Sequence, residues 1–465
     1  MSRGKAVAQF FSGPFKRLGQ RYTFVSRGAD LVFTCGMTGH DPLTGRLAQN
    51  EGDLPEALRT HGATGMVIAD IPETRIRAQT RLALDHVRQA LEEAGSSIDH
   101  LVRLRLFLRD IRDAGSAASI VKAVLGKNTP STTVVEATGP GVHPDVDVVI
   151  DAIAVTRDGA FTPEQVHVAG LERLLGGFPA ASTAGPYVFT TPVSAADPEH
   201  GRLSAYRQAL TADEQRLLEP EYFNPREEAL AVEQVLMWRN VKRILDETGV
   251  PFENVVHQNN WLAISMQQYV PVTKVRGRLF GRGDARTAAT SLPVSDLRTP
   301  RAAYECSVLG LKPGKTRKQI RLEGHGVGPY YVGAVQAGRY VFAAGEVPVH
   351  ASPGEEPRVI GRAQDLPEDL RPMNFGRVHV EYPLMAQAAY VYELIAKALQ
   401  SYGCGLRDVL HQTVYLVEPA HFPALENIAG LYFGTRLPPT TLVPICGASP
   451  FRQTLLEIEV TALVP

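Results

Sequence analysis

Apolar positions along this 465-residue chain fall into three sets with one common pattern. In each set the inward residues recur at the three- and four-residue steps of an amphipathic helix. They are Ala83, Val87, Ala90 and Leu91; then Met237, Val241, Ile244 and Leu245; then Leu384, Val391, Ile395, Ala398 and Leu399. Each run ends at a glycine suited to cap a helix C-terminus, Gly95, Gly249 or Gly403. An alternating run follows every glycine and predicts a half-buried strand: Val102, Leu104, Leu106, Leu108; Val256, Gln258, Asn260, Leu262; Leu410, Gln412, Val414, Leu416. The opposite faces of these strands carry Phe107, Trp261 and Tyr415.

The three glycines stand 154 positions apart each time, and the same offset carries Thr132 to Arg286 to Thr440 and Asp151 to Glu305 to Glu459. Upstream, strands around Leu31-Val32-Phe33, Tyr187-Val188-Phe189 and Tyr340-Val341-Phe342 correspond once small gaps are allowed before the first helix, including the insert from Asp197 to Asn224. A repeat that keeps helix face, cap and strand face together predicts three diverged copies of one α+β unit, over residues 1–158, 159–314 and 315–465. Each copy has a sheet covered on one face by two helices, so its other face needs cover as well. The length suits about three domains.

Composition narrows the function classes. An apolar fraction of 44% and a charged fraction of 21% are ordinary for a globular protein. No stretch reaches the roughly 20 apolar residues of a membrane span, and the N-terminus does not read as a secretory leader, so the expectation is a cytoplasmic protein with no membrane partner. The net charge of −1 offers no general attraction for nucleic acid. The one basic run, Lys274, Arg276, Arg278, Arg282 and Arg286, holds a single aromatic, Phe280, and so no series of interleaved stacking rings. Cys35, Cys306, Cys404 and Cys446 are too scattered for a disulfide framework or a zinc site, and no His/Asp/Glu spacing recommends a metal. No phosphate-cradling loop is present, and no cofactor is expected. His257 and His411 recur at the position of Arg103, where a hydrogen-bonded structural role is the simpler reading.

The local signatures of the copies differ. Two strands end in Cys35-Gly36 and Ala344-Gly345, with Thr191-Pro192 at the matching place in the middle copy. The 154-residue offset sets Arg286 against Thr132 and Thr440, and Glu457, in the closing run Glu457-Ile458-Glu459, against Val149 and Ala303. Gly328-Pro329-Tyr330 opens the third copy. These patterns resemble the Rid (YjgF) family of imine/enamine deaminases, over essentially the whole chain and three times in succession. The resemblance implies a chorismate-mutase-like fold, with the copies packed as an intrachain pseudo-trimer around a central β-barrel and clefts at the boundaries between copies. A monomeric pseudo-trimer is therefore expected, with room for a higher oligomer.

It also implies action on a small carboxylate-bearing imine, enamine or related reactive intermediate, by hydrolytic deamination or a related hydrolysis or cyclisation, in a specialised biosynthetic pathway. Arg286 would hold the carboxylate, Glu457 would orient water or shuttle a proton, and Tyr330 would fix the polar end of the substrate. Asn427, Ala344 and Gly345 would line the substrate site. Because the arginine and the glutamate fall in different copies, the boundary between the second and third is where a working site is expected. Cys35 stands where the family has serine; with His40, five residues on, as its nearest histidine in sequence, it reads as a buried thiol. Two alternatives carry weight: a chorismate-cleaving hydrolase of the same fold superfamily, and a non-catalytic binding or scaffold pseudo-trimer.

Overall fold

The computed structural model of the protein describes residues 7–13, 23–59, 74–139, 141, 143–281, 285–320, 332–351, 356–368 and 382–465. Each amphipathic run forms the helix its spacing predicts. The long helices are α1 (Thr74–Glu93), α3 (Pro225–Thr248) and α5 (Pro383–Gln400), each followed by a strand and a shorter helix: α2 (Ala114–Leu125), α4 (Val270–Phe280) and α6 (Phe422–Phe433). Local chemistry fixes the ends of α3. Asn224 accepts the Glu227 backbone N–H at 3.0 Å, Pro225 occupies the first turn, and Gly249 closes the helix at a φ of 69° that disfavours a side chain.

The strands build three sheets with one order. The first contains β1 (Gln9–Phe11), β2 (Val25–Gly28), β3 (Leu31–Thr34), β4 (Leu101–Leu108), β5 (Ser131–Glu136) and β6 (Val148–Val155). The second contains β7 (Pro163–Val166), β8 (Ala181–Ala184), β9 (Tyr187–Thr190), β10 (Val255–Leu262), β11 (Ala288–Pro293) and β12 (Tyr304–Leu311). The third contains β13 (Arg317–Ile320), β14 (Ala334–Ala337), β15 (Tyr340–Ala343), β16 (Val409–Leu416), β17 (Thr440–Pro444) and β18 (Leu456–Leu463). The orders are β1-β2-β3-β6-β4-β5, β7-β8-β9-β12-β10-β11 and β13-β14-β15-β18-β16-β17. In each, one parallel pair is joined by the short helix, as a parallel crossover requires. Each sheet with its two helices is called a unit below.

The helices cover one face of each sheet, giving three separate apolar cores. The other faces turn toward one another, so the central strands are buried on both sides rather than half-buried. A bulge at the start of β4, β10 and β16 sets the same inward pattern in all three. Val102, Val256 and Leu410 join one shared apolar cluster, and Phe107, Trp261 and Tyr415 join a second. The three aromatics meet edge to face, with ring centroids 5.9 Å (Phe107 to Trp261) and 6.5 Å (Trp261 to Tyr415) apart.

Between these clusters lies a polar layer centred on Arg105. Its guanidinium pairs with Asp151 (2.5 Å) and with Glu459 of the third unit (3.1 Å), and donates to Thr413 at 2.9 Å. Asn259 and Thr290 of the second unit donate to Glu459 at 3.1 and 2.6 Å.

The expected closed barrel is not formed among the described residues. The seams carry instead one short antiparallel pair, Asp296-Leu297 of the second unit against Val135-Glu136 of the first, and single bonds: Gly36 N to Thr440 O at 3.4 Å, Gly345 N to Ala289 O at 3.3 Å, and Ser131 N to the Ser182 hydroxyl at 2.7 Å. Pro130 and Pro439 stand immediately before β5 and β17, and a residue without an N–H cannot extend a ladder there.

Strand register also corrects the sequence alignment. Thr132 faces Leu104, Ala289 faces Gln258 and Thr440 faces Gln412, so the residue matching Thr132 and Thr440 in the second unit is Ala289, not Arg286. Likewise Val149, Glu305 and Glu457 face Phe107, Trp261 and Tyr415. The second unit therefore carries a carboxylate, Glu305, where the constant offset assigned Ala303. The link from α4 to β11 has more residues than its counterparts.

Candidate active site

The seam between the second and third units opens into a cleft of about 610 Å³. The third unit contributes Glu457 from β18 and Gly345 and Glu346 from the segment after β15; the second contributes Ser291 from β11, Tyr269, and Arg276 from α4. Arg276 lies four residues before Phe280 on the inward stripe of α4 and is 1% exposed. Its guanidinium donates to the Ser291 hydroxyl at 2.8 Å and to the Tyr269 hydroxyl, which itself donates to Ser291 at 2.6 Å. A planar cation is thus held in a fixed orientation at the cleft wall, an arrangement suited to a substrate carboxylate.

Glu457 is 3% exposed. Burial pushes its pKa well above the usual carboxylate range, and the nearby Glu459 and Glu346 add to the shift; a backbone hydrogen bond at Ser291 and the charge of Arg276 offset it only in part. The carboxyl therefore keeps its proton well past the pH at which an ordinary glutamate ionises, which suits a general acid. Gly345 makes room for it: a Cβ there would lie 1.8 Å from Glu457 Oε1. In the first unit the same relation holds between Gly36 and Val149, at 2.6 Å. Gly345→Ala is expected to destabilise the fold by about 1–3 kcal/mol through overpacking and to displace the acid. Thermal denaturation and turnover of the variant check this, and a wild-type profile in both would contradict it.

Met266, Val347, Val349, Leu394 and Phe451 supply apolar wall, and at the mouth Glu219, from the Asp197 to Asn224 insert, is tied to Arg278 at 2.7 Å.

The sequence-based candidates divide. Glu457 and Gly345 meet in the cleft as expected. Arg286 does not line it: the guanidinium turns back toward the Gly281 carbonyl (3.5 Å), because the residue precedes β11 instead of lying in it. Ala344 is fully buried in the shared central cluster, one residue too early to face the cleft. Asn427 is exposed on α6, outside the cleft. Tyr330 and Arg282 lie outside the described residues. Cys35 is buried against Met37, and desolvation pushes its thiol pKa up, contrary to nucleophile activation.

The other two seams have diverged. Between the first and third units a space of about 170 Å³ is lined by Cys35, Leu425, Ala429 and Leu437, among others, and no lysine or arginine is among the described lining residues. Counted from the glycine that ends each short helix, Ala429 and Val121 hold the place of Arg276. Between the first and second units, Glu305 is tied to the Thr299 backbone N–H (2.9 Å) and hydroxyl (2.7 Å), and Pro192 stands where the cleft has Gly345.

The model of the family described as Endoribonuclease L-PSP matches residues 58–156 and 325–464, just over half of the chain. A RutC family protein of Pyrococcus horikoshii is 29% identical over 136 residues, covering 29% of this chain and 87% of the relative. One of Synechocystis is 28% identical over 139 residues, covering 30% and 88%. Among solved structures, a chorismatase aligns over 78% of this chain and 93% of its own at 13% identity and a TM-score of 0.44. The YjgF protein of E. coli aligns over 29% and 88% at 22% identity and a TM-score of 0.23. An α+β fold with three mixed sheets and this family match define the class, and the chain belongs to the Rid (YjgF) family, described in its family model as Endoribonuclease L-PSP.

Proposed function

We propose that this chain is a fused pseudo-trimer of Rid-like units, over residues 1–158, 159–314 and 315–465, with one working cleft, and that it hydrolyses a small carboxylate-bearing imine or enamine. The observation that carries the reading is that Arg276, fixed by Tyr269 and Ser291, lines the same cleft as a buried Glu457 whose pKa burial raises, at one seam among the described residues. Arg276 pairs with the substrate carboxylate. Water adds to the imine carbon as Glu457 passes its proton to the imine nitrogen, and Glu346 takes the proton released by the water. As the carbinolamine collapses and the C–N bond breaks, Glu346 returns its proton to the leaving nitrogen and Glu457 takes the hydroxyl proton, giving the keto acid and ammonia with both acids restored. The ligand is a small molecule, and no nucleic acid or cofactor enters the scheme. The three units satisfy one another's inner faces, so a single chain suffices.

The test is keto acid formation from 2-iminopropionate generated in situ. Arg276→Gln is expected to lower kcat/KM by roughly 10–100-fold, the value of charged hydrogen bonds of about 1.5–3 kcal/mol, while Arg286→Ala leaves it unchanged. Equal rates for wild type and Arg276→Gln would remove the arginine from the mechanism.

A second reading is favoured by one observation. A 610 Å³ cleft with apolar walls exceeds the needs of a three-carbon acid and suits a ring-bearing carboxylate. Hydrolysis of chorismate, scored by pyruvate release, distinguishes this reading from the first.

A further inference from the structure

The cleft at Glu457 differs from its counterpart between the first and third units at one ladder position. Gln412 of β16 faces Thr440 of β17, and Gln258 of β10 faces Ala289 of β11. In the third unit the pair is closed: the Gln412 Nε2 donates to the Thr440 hydroxyl at 2.8 Å, and both side chains line the 170 Å³ space. In the second unit no hydroxyl stands at that place. Gln258 is fully buried, yet its Nε2 has no hydrogen-bond partner among the described residues. A buried amide donor left unsatisfied destabilises a fold, and threonine, the residue at this position in both other units, would satisfy it as Thr440 does. Local packing therefore favours threonine at position 289, and alanine needs another reason.

Space supplies one. Ala289 and Ser291 both line the 610 Å³ cleft, and they stand on one face of β11 about 6.5 Å apart along the strand. Ser291 holds the guanidinium of Arg276 at 2.8 Å. A 2-imino acid with its carboxylate on that guanidinium, and a ring carried one carbon beyond the imine carbon, spans this distance. Met266, Val349, Leu394 and Phe451 supply apolar wall for such a ring. We infer that Ala289 is a specificity-determining residue, and that the substrate is a 2-imino or 2-enamino acid bearing an aromatic ring that seats against the Ala289 methyl group. The inference rests on the reading of this cleft as the site of imine hydrolysis, and it names the class of side chain that the site accepts.

The test uses the full chain and imines generated in situ by an amino acid oxidase, with hydrolysis scored above the spontaneous rate. Wild-type kcat/KM is expected to be roughly 10–200-fold higher for 2-imino-3-phenylpropionate than for 2-iminopropionate, the range by which apolar groups are discriminated in a matched pocket. Ala289→Thr is expected to lower the value for the aromatic imine by about 10-fold or more, through KM, and to leave that for 2-iminopropionate within about twofold. Because threonine answers the Gln258 amide, the same variant should melt at or above the wild-type temperature. Equal kcat/KM for the two imines in the wild type, an equal loss for both in the variant, or a variant that melts below the wild type would each overturn the inference. If neither imine is hydrolysed, the hydrolytic reading fails by itself, and calorimetric binding of phenylpyruvate against pyruvate decides the question of size. Tighter binding of phenylpyruvate, weakened in Ala289→Thr, would support the inference, and equal binding of the two keto acids would overturn it.

Discussion

Replacing Glu457 by glutamine is expected to lower kcat by about two to four orders of magnitude, the range that a positioned general acid contributes, while leaving the fold intact. The direction of its pKa shift separates the two effects. A carboxyl whose folded value is raised above its unfolded value costs stability progressively as pH climbs past the unfolded value, because the folded protein resists its ionisation. Glutamine removes that cost, so at pH 8 the variant should melt no lower than the wild type. Activity in the wild type should fall on the alkaline side as Glu457 loses its proton. Since glutamine cannot donate a proton in that way, the residual rate of the variant should lack this limb. Measurement of kcat/KM against pH for both proteins, with melting curves at the same pH values, checks the pair of statements. An active variant with an unchanged alkaline limb would assign the acid to another group.

Arg105→Met is expected to be the most damaging single change to stability, at about 3–5 kcal/mol, because it strands two carboxylates in the interior. Arg105 is 1% exposed and joins Asp151 of its own unit to Glu459 of the third. Burial alone would raise the pKa of both acids. Arg105, with His257 at Glu459 and with Arg103 and His411 at Asp151, instead holds them below the usual carboxylate range. The stability they contribute is present above the unfolded carboxylate pKa and is lost as pH falls through the depressed folded values. The wild type should therefore lose stability only in strong acid, whereas in the variant the stranded acids are raised by burial, so its deficit relative to the wild type should be largest near neutral pH and shrink as pH falls and they take up protons. Acid titrations followed by circular dichroism distinguish this from a uniform loss at all pH values, which would mean that Arg105 acts through packing alone.

Much of the fold was legible because its signals are local. Helical spacing before Gly95, Gly249 and Gly403, and alternation in the strands that follow, depend on residues a few positions apart, and all three copies keep them. Burial of those strands on both faces was less legible. It is set by partner sheets remote in sequence, which bury the polar Arg105, Asn259 and Thr413 to at most 9% exposure.

The candidate site was legible only where the backbone register survived. Glu457 and Gly345 were found from a strand end and a closing strand. Arg286 was misassigned because the longer α4 to β11 link shifts register within the second unit, and a constant offset cannot reveal that. The same shift hid Glu305, the buried counterpart of Glu457. Arg276 was present in the basic run, and its place one turn before Phe280 was the available signal that it points inward. Glu346, Tyr269 and Ser291 gained significance only when two units were brought together, which no single stretch of chain encodes.

The central claim is that one seam alone, carrying Arg276 and Glu457, is a working cleft. Calorimetric titration of the whole chain with a stable 2-keto acid addresses it most directly. The account predicts one ligand bound per chain, lost in Arg276→Gln and retained in Arg286→Ala and Glu305→Gln. Three ligands per chain, or binding indifferent to Arg276, would contradict it.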